Sequence, residues 1–409
     1  MALVLNTNLS SMVAQNSLTA SGGQLATALQ QLSSGLRINT AADDAAGYAI
    51  VQGMTSQING INQAAHNAND GVSLAQTASG ALQEVVNDLQ TMRDLAVQSL
   101  NATNSSTDRA DLDAQFQQLK SDINSVASQT QFNGVNLLDG TFQGASFQVG
   151  ANAGQTIDVS SIGSAAASNL GQLNTLAGTA VAAAAYVGEN TDTVSFSVTI
   201  TPAGGTASAA IKTDAVTLTG NQTIDLKSIA GAINQAVGAQ GIVATVNTAN
   251  GAIDLSSTSI GQTVNIATTA TQGTDAAATG TEDATTFGLV EGDNVIAASA
   301  TPLTINSADV KTVDSSNQVL VQVDQALQQL ATESAQLGAY QNRFQAAITG
   351  LNTDSTNLTS ARSTIQDTDY ASATSALSKA QILQQAGTAM VAQANTIPQN
   401  ILTLLQKLP

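Results

Sequence analysis

The 409-residue chain contains no cysteine, no tryptophan, one histidine and four prolines, and only 10% of its residues are charged. Each shortage removes a class of chemistry. Without cysteine there is no disulfide framework and no thiolate nucleophile in any redox compartment. A His-Glu-x-x-His zinc site needs two histidines, and a histidine-based triad would rest on His66 alone, which reads as a solvated helix position. There is no Walker A loop. The 11 basic and 29 acidic residues leave a net charge of −18, which argues against nucleic acid or an anionic membrane as partner. No run approaches the ~18 consecutive apolar residues of a membrane-spanning helix. The start, Met1-Ala2-Leu3-Val4-Leu5-Asn6, lacks the basic region of a cleaved secretory signal. We therefore expect no enzyme, no cofactor, no metal and no membrane insertion.

What the chain does have is helical periodicity over long distances. From Val319 to Ile365, steps of seven land on Val323, Leu330, Leu337, Phe344, Leu351, Leu358 and Ile365, all apolar. The interleaved positions Ala326, Glu333, Tyr340, Ala347, Asp354 and Ala361 are mixed. No proline interrupts the segment, and Ser315 with Gln318 resembles a capping box at its start. A helix of this length runs roughly 70 Å. It cannot bury its own stripe, so partners are expected elsewhere in the chain.

The two ends are nearly chargeless. Residues 1–42 carry only Arg37, and residues 380–406 carry no charge at all. Leu18, Leu25, Leu29, Leu32 and Leu36 form a heptad stripe at one end; Leu383, Met390, Ile397 and Leu404, with Ala394 and Ile401, form one at the other. A helix on the surface of a soluble monomer normally charges its outer face, so both ends are expected to be covered in an assembly. A low-charge helical hairpin, or ends left disordered in the free chain, are the plainer alternatives. Pro398 should kink or interrupt its helix.

Thr40 and Asp43 are expected to cap a second long helix. Its stripe is Val51, Met54, Ile58, Ile61, Ala65, Ala68, Val72, Ala75, Ser79, Leu82, Val86, Leu89, Arg93, Ala96 and Leu100. Asp43 and Asp44 suit a helix start better than a catalytic carboxylate pair. After a turn at 101–106, Asp108 and Asp111 favour the start of a third helix, striped by Leu112, Phe116, Leu119, Ile123 and Val126 and ended at Asn133-Gly134. Residues 140–313 become rich in Ala, Thr, Gly and Ser. There Val194–Ile200 alternates as a strand, Asp225–Ala236 as a short helix, and 241–246 with 251–255 as a hairpin around Asn250-Gly251. The sequons at Asn101 and Asn221 carry little meaning without a secretory signal. The fold class expected is mainly α: a long coiled-coil and helical-bundle rod built from both chain ends, with an inserted β-rich outer domain.

Several stretches match a known family. Residues 30–50, from Gln30-Gln31-Leu32-Ser33-Ser34-Gly35-Leu36-Arg37-Ile38-Asn39 through Asp43-Asp44 to Gly47-Tyr48-Ala49-Ile50, resemble the N-terminal signature of bacterial flagellins. Leu89–Gln98, Gln129–Gly134, Gly338–Phe344, Asp367–Ala371 and Ala380–Thr388 resemble further flagellin motifs, in the family's order. Within the middle, only Asp225–Ser257 is similar to a small insertion module of many flagellins and hook proteins. The resemblance implies an inner coiled coil (1–42 with 368–409), a helical rod domain with a β-hairpin region (43–175 with 314–367) and a variable outer β-rich domain (176–313). It implies a subunit that self-assembles into the flagellar filament for swimming, exported unfolded through the flagellar type III secretion channel to an extracellular flagellum. The partners implied are copies of itself, an export chaperone, the export gate, and hook-associated junction and cap proteins. Zero cysteine suits a chain threaded unfolded, and chargeless ends suit a filament's inner tube.

The residues expected in subunit packing are Leu25, Leu29, Leu32, Leu36, Leu383, Met390, Ile397, Ile401 and Leu404. By the same resemblance, Leu89, Gln90, Arg93, Leu95, Ala96 and Val97 match a segment read by a vertebrate innate immune receptor. Thr91 there replaces the usual basic residue, and Gln115 a usual glutamate. Gly35, Arg37, Asn39, Asp43, Asp44 and Gly47 fall in a segment resembling one sensed by plants. Two alternatives stay open at this point: a hook–filament junction protein, and an adhesin carried on a helical stalk.

Overall fold

The computed structural model describes residues 8–176, 192–247, 250–260, 262–271, 287, 289, 292–296 and 302–406. Six helices carry most of the chain: α1 (Leu9–Ser34), α2 (Ala45–Ser99), α3 (Ser106–Gln129), α4 (Gln222–Val237), α5 (Val313–Gln366) and α6 (Tyr370–Gln406). At 55 and 54 residues, α2 and α5 are each about 80 Å long. The chain divides into two compact units, residues 1–69, 148–157 and 345–409, and residues 70–147 with 158–344.

The expected heptad of α5 is its core face. Val323, Leu330, Leu337, Phe344 and Leu351 are buried, with Leu358 and Ile365 half-buried as the stripe runs out. Two of the polar interleaved positions receive loops rather than helices. Glu333 accepts from the Gly163 N–H at 3.1 Å, and the Tyr340 hydroxyl accepts from the Ser160 N–H at 3.2 Å.

On α2 one series of the expected stripe is buried at every seventh residue, Ile61, Ala68, Ala75, Leu82, Leu89 and Ala96, while the other starts at buried Val51 and Ile58 and then lies one residue off. Gly71, Ala78, Val85, Met92 and Ser99 are buried, while Val72, Ser79, Val86, Arg93 and Leu100 are only half-buried. The buried positions of the second series follow the first by three residues rather than four, so Ala64, Gly71, Ala78, Val85, Met92 and Ser99 themselves repeat in sevens.

The caps also correct the expectation. Asp44, not Thr40 or Asp43, caps α2 by accepting from the Ala46 and Gly47 N–H groups at 3.1 and 2.9 Å. The box at the start of α5 joins Thr312 and Ser315, not Ser315 and Gln318: the Ser315 N–H donates to Thr312 Oγ1 at 3.0 Å and the Thr312 N–H to Ser315 Oγ at 3.1 Å. A reciprocal Ser105–Asp108 box starts α3. That helix stops at Gln129, before Asn133-Gly134, which instead turns β1 (Gln131–Phe132) into β2 (Val135–Asn136). Arg109 closes the preceding turn by donating to the Ser99 and Asn104 carbonyls at 2.9 Å each.

The middle of the chain is β-rich. After β3 (Ala145–Gln148) and β4 (Thr156–Val159), a three-stranded antiparallel sheet runs in the order β5 (Asn174–Leu176), β10 (Ala252–Ser257), β9 (Ile242–Asn247). The hairpin expected around Asn250-Gly251 is this β9–β10 pair, Asn247 opposite Ala252. A second sheet joins β12 (Gly292–Val295), β11 (Thr263–Thr271), β6 (Thr193–Thr201) and β7 (Ile211–Lys212), with β8 (Val216–Thr217) also on β6. Alternate residues of β6, Val194, Phe196, Val198 and Ile200, enter one core with Leu226, Ile229 and Ile233 of α4 and Ile253 and Leu255 of β10. Phe196 and Phe287 meet edge to face at 6.0 Å within it.

Pro398 does not interrupt α6, which continues as one helix to Gln406. Proline supplies no N–H to the carbonyl four residues back, that of Ala394. Asn8 fills the vacancy: its Nδ2 donates to the Ala394 carbonyl at 2.8 Å, while its Oδ1 accepts from the Ser11 N–H at 3.1 Å and caps α1.

Two predictions follow from this packing. A Cβ on Gly71 would lie 2.5 Å from Cζ of Phe344, a buried ring held edge to face by Phe147 at 5.3 Å. Gly71→Ala should therefore destabilise the chain by about 1–3 kcal/mol in urea unfolding, partly recovered by adding Phe344→Leu. Asn8→Asp keeps the α1 cap and removes the donor to Ala394. It should cost about 1 kcal/mol in the native chain and much less in a Pro398→Ala background; additive effects in that double-mutant cycle would contradict the pairing.

Candidate assembly interface

The two terminal helices, α1 and α6, pack along each other, and small residues make the contact. On α6 the buried positions are Ala373, Ala380 and Ala394, with half-buried Gly387 completing a strict seven-residue series. On α1 they are Ser11, Ser21 and Ala28, flanked by half-buried Leu18, Leu25 and Leu32. A Cβ on Gly387 would sit 3.1 Å from Leu18 Cδ1, so glycine sets how near the helices come. Leu25 and Leu32 beside this seam are among the expected packing residues and Ala394 lies in the expected α6 stripe, but Ala373, Ala380, Gly387, Ser11, Ser21 and Ala28 are not. Stepping in sevens from Ala373 would have found the α6 side, had small residues been counted with large ones.

The larger apolar series on α6 lies three residues away from the seam, about 60° around the helix. Leu383 is 43% exposed and Met390 63%. Ile382 and, on α1, Leu9, Met12, Val13 and Leu29 are exposed as well. Leu9, Val13, Leu383 and Met390 line an open groove of about 660 Å³ whose remaining walls are Ser, Ala and Gly. Of the expected packing residues, Leu29, Leu383 and Met390 are thus outward, while Leu25, Leu32 and Leu36 are half-buried within the chain. The side chains of Ile397, Ile401 and Leu404 lie outside the described residues.

The connectors that lead into this helix pair run side by side. Leu36 bridges Asp367; the Arg37 N–H donates to the Gln366 carbonyl at 2.6 Å and the Thr368 N–H to the Gly35 carbonyl at 2.9 Å. The Arg37 guanidinium donates to the Ile365 carbonyl at the end of α5, where it complements the helix dipole. Gly35 has φ +71°, and a Cβ there would approach the Tyr370 hydroxyl at 3.3 Å. Asp43 accepts from the Thr40 and Asn39 N–H groups, which hold its carboxyl below the usual range, the Thr40 bond first. Gly47 is closed in by Ile38, 2.6 Å from where a Cβ would stand. So Gly35, Arg37, Asn39, Asp43, Asp44 and Gly47 come together as one turn-and-cap arrangement.

The Leu89–Val97 stretch is divided by burial. Leu89, Leu95 and Ala96 are buried in α2, while Gln90, Thr91 and Val97 are exposed, as is Gln115 on α3. Arg93 pairs with Asp324 of α5 through Nε at 2.7 Å, and the hydrogen bond to that carboxylate raises its already high pKa. His66 is exposed on α2. Among the described residues, no group of three His, Asp or Glu side chains is placed to hold a metal ion, and no helix is long and apolar enough to cross a membrane.

Family models agree with the helical ends. Residues 5–143 match the bacterial flagellin N-terminal helical region, and residues 320–405 the bacterial flagellin C-terminal helical region. Among curated proteins, the chain is 36% identical to a flagellin of Salmonella rubislaw, the alignment covering 99% of this chain and all of that one. It is 38% identical to flagellin B of Vibrio cholerae serotype O1 and 36% identical to the B-type flagellin of Pseudomonas aeruginosa, again over 99% of this chain and all of each relative. With its paired low-charge terminal helices and its match to these proteins along its length, the chain belongs to the bacterial flagellin family, whose members are structural subunits of the flagellar filament.

Proposed function

We propose that this chain polymerises with copies of itself, and that the outward face of the α1–α6 pair is where neighbouring subunits meet. The observation that carries the reading is large apolar side chains at 43–65% exposure, Leu383, Leu9, Ile382 and Met390 among them, on helices that offer almost no charge in compensation. In this reading residues 1–42 with 368–409 form the inner coiled coil, 43–175 with 314–367 the helical rod domain, and 176–313 the variable outer domain. The family supports export of the unfolded chain through the flagellar type III channel, an export chaperone and the export gate, and growth between hook-associated junction proteins and a cap, giving an extracellular filament. Alignment with flagellins along 99% of the chain favours this over a junction protein or an adhesin. No cofactor has a part in it.

Seeded polymerisation followed by sedimentation and electron microscopy tests the proposal. The native chain should form filaments. Leu383→Glu, which places a carboxylate in the packed face, should raise the critical concentration at least about tenfold while leaving monomer helicity unchanged. A Leu383→Glu chain that assembles as readily as the native one would overturn the placement of the interface.

We also propose that a vertebrate flagellin receptor responds weakly to this chain, because Thr91 and Gln115 each lack a charge that the family pattern carries. In a reporter assay, restoring Thr91→Arg and Gln115→Glu together should increase potency about tenfold, as expected for regaining interfacial charge contacts; full potency of the unmodified chain would contradict this.

A further inference from the structure

All sulfur in this chain is thioether, since there are five methionines and no cysteine. With tryptophan also absent, methionine is the side chain that mild peroxide attacks first. The structure separates the four described methionines sharply. Met92 is fully buried in α2 and Met54 half-buried, whereas Met12 is 50% exposed and Met390 63% exposed. Met390 alone of these lines the apolar groove between α1 and α6, beside Leu9, Val13 and Leu383.

We propose that Met390 is an oxidation site whose conversion to the sulfoxide prevents a free subunit from joining the polymer. This rests on the assembly reading given above. The reaction balances with hydrogen peroxide as the co-reactant. A sulfur lone pair attacks one peroxide oxygen, the O–O bond breaks, an S–O bond forms, and proton transfer releases water; sulfur loses two electrons and the peroxide gains them. The product carries a strong acceptor oxygen in place of a flexible apolar thioether. On the free chain that oxygen is solvated and costs nothing. In a groove covered by a second copy the only lining donors are the hydroxyls of Ser10, Ser17 and Ser21, the last already donating to the Leu18 carbonyl, and desolvating a sulfoxide oxygen beside Leu9, Val13 and Leu383 is unfavourable. The free subunit is therefore open to the reaction, and the assembled one shielded from it and intolerant of its product.

The first test uses the native chain. Free full-length chain is partly oxidised with hydrogen peroxide, polymerised on seeds of untreated filament and separated by sedimentation; peptide mass spectrometry then gives sulfoxide at each methionine in both fractions. Sulfoxide at Met390 should be at least about tenfold depleted in the pellet relative to the supernatant. Peroxide applied to finished filaments should oxidise Met390 more slowly than in the free chain. Met390→Leu, which conserves volume, should assemble after peroxide treatment that halts the native chain. Equal sulfoxide at Met390 in pellet and supernatant, from untreated chain that does assemble, would overturn this inference alone. Untreated chain that never pellets would overturn the assembly reading and this inference with it.

Discussion

The structure depends on how α6 divides its faces. Two seven-residue series run along this helix, three residues apart. Alanine and glycine form the series turned toward α1, and large side chains form the other. Small residues on α6 let two backbones approach closely, so the intramolecular seam takes in Leu18 of α1 without consuming Leu383 and Met390 of α6. These remain available, which a monomeric protein would not tolerate over so much helix. Charge repulsion is also missing, because residues 380–406 contain no ionisable side chain. A helix built this way can serve two interfaces at once, one within its own chain and one beyond it.

The remainder of the fold supports that division. The connectors 35–38 and 365–368 pair through backbone hydrogen bonds, and Arg37, the sole charge of residues 1–42, is spent on carbonyls at the end of α5. Asn8 performs a similar service at the other end, accepting from its own helix and donating to the carbonyl that Pro398 leaves without a partner. In the second unit, large residues take over: Phe344, Phe116, Leu82 and Leu89 are fully buried, as expected of helices that carry charges on their outer faces. The β-rich middle has its own core, in which α4 and strands of both sheets share Val, Ile and Leu with two phenylalanines.

Much of this was legible in the residues. The α5 heptad, the strand at 194–200, the helix at 225–236 and the β9–β10 hairpin all appear where their periodicity and turn chemistry place them. The misreadings have identifiable causes. On α2 the second series follows the first by three residues and not four, so Val85 and Met92 are buried where the expected stripe has Val86 and Arg93; both spacings lie on a helical face, and adjacent Val85 and Val86 are not ranked by residue type. At α5, a threonine three residues upstream competed with Ser315 for the cap, and local sequence does not rank them. Propensity alone interrupts a helix at Pro398, whereas a side chain 390 positions away supplies the missing donor. The α6 side of the seam escapes a hydrophobic pattern reading because such a reading weights bulk, and Ala373, Ala380 and Gly387 have little of it. The assembly surface was legible in the uncharged heptad stripes of the two ends, whereas the 35–47 and 89–97 segments were reached only by resemblance, since recognition surfaces carry no catalytic spacing.

The central claim is that the outward apolar face of the terminal helix pair is covered by other copies. Carbene footprinting, which labels side chains according to solvent access, measures this directly on the free chain and on sedimented filaments. The account predicts strong labelling of Leu9, Leu29, Ile382 and Leu383 in the free chain and its loss in filaments, with little labelling of Ala380 in either. Filaments that label at Leu383 and Ile382 as strongly as the free chain would show that subunits meet elsewhere.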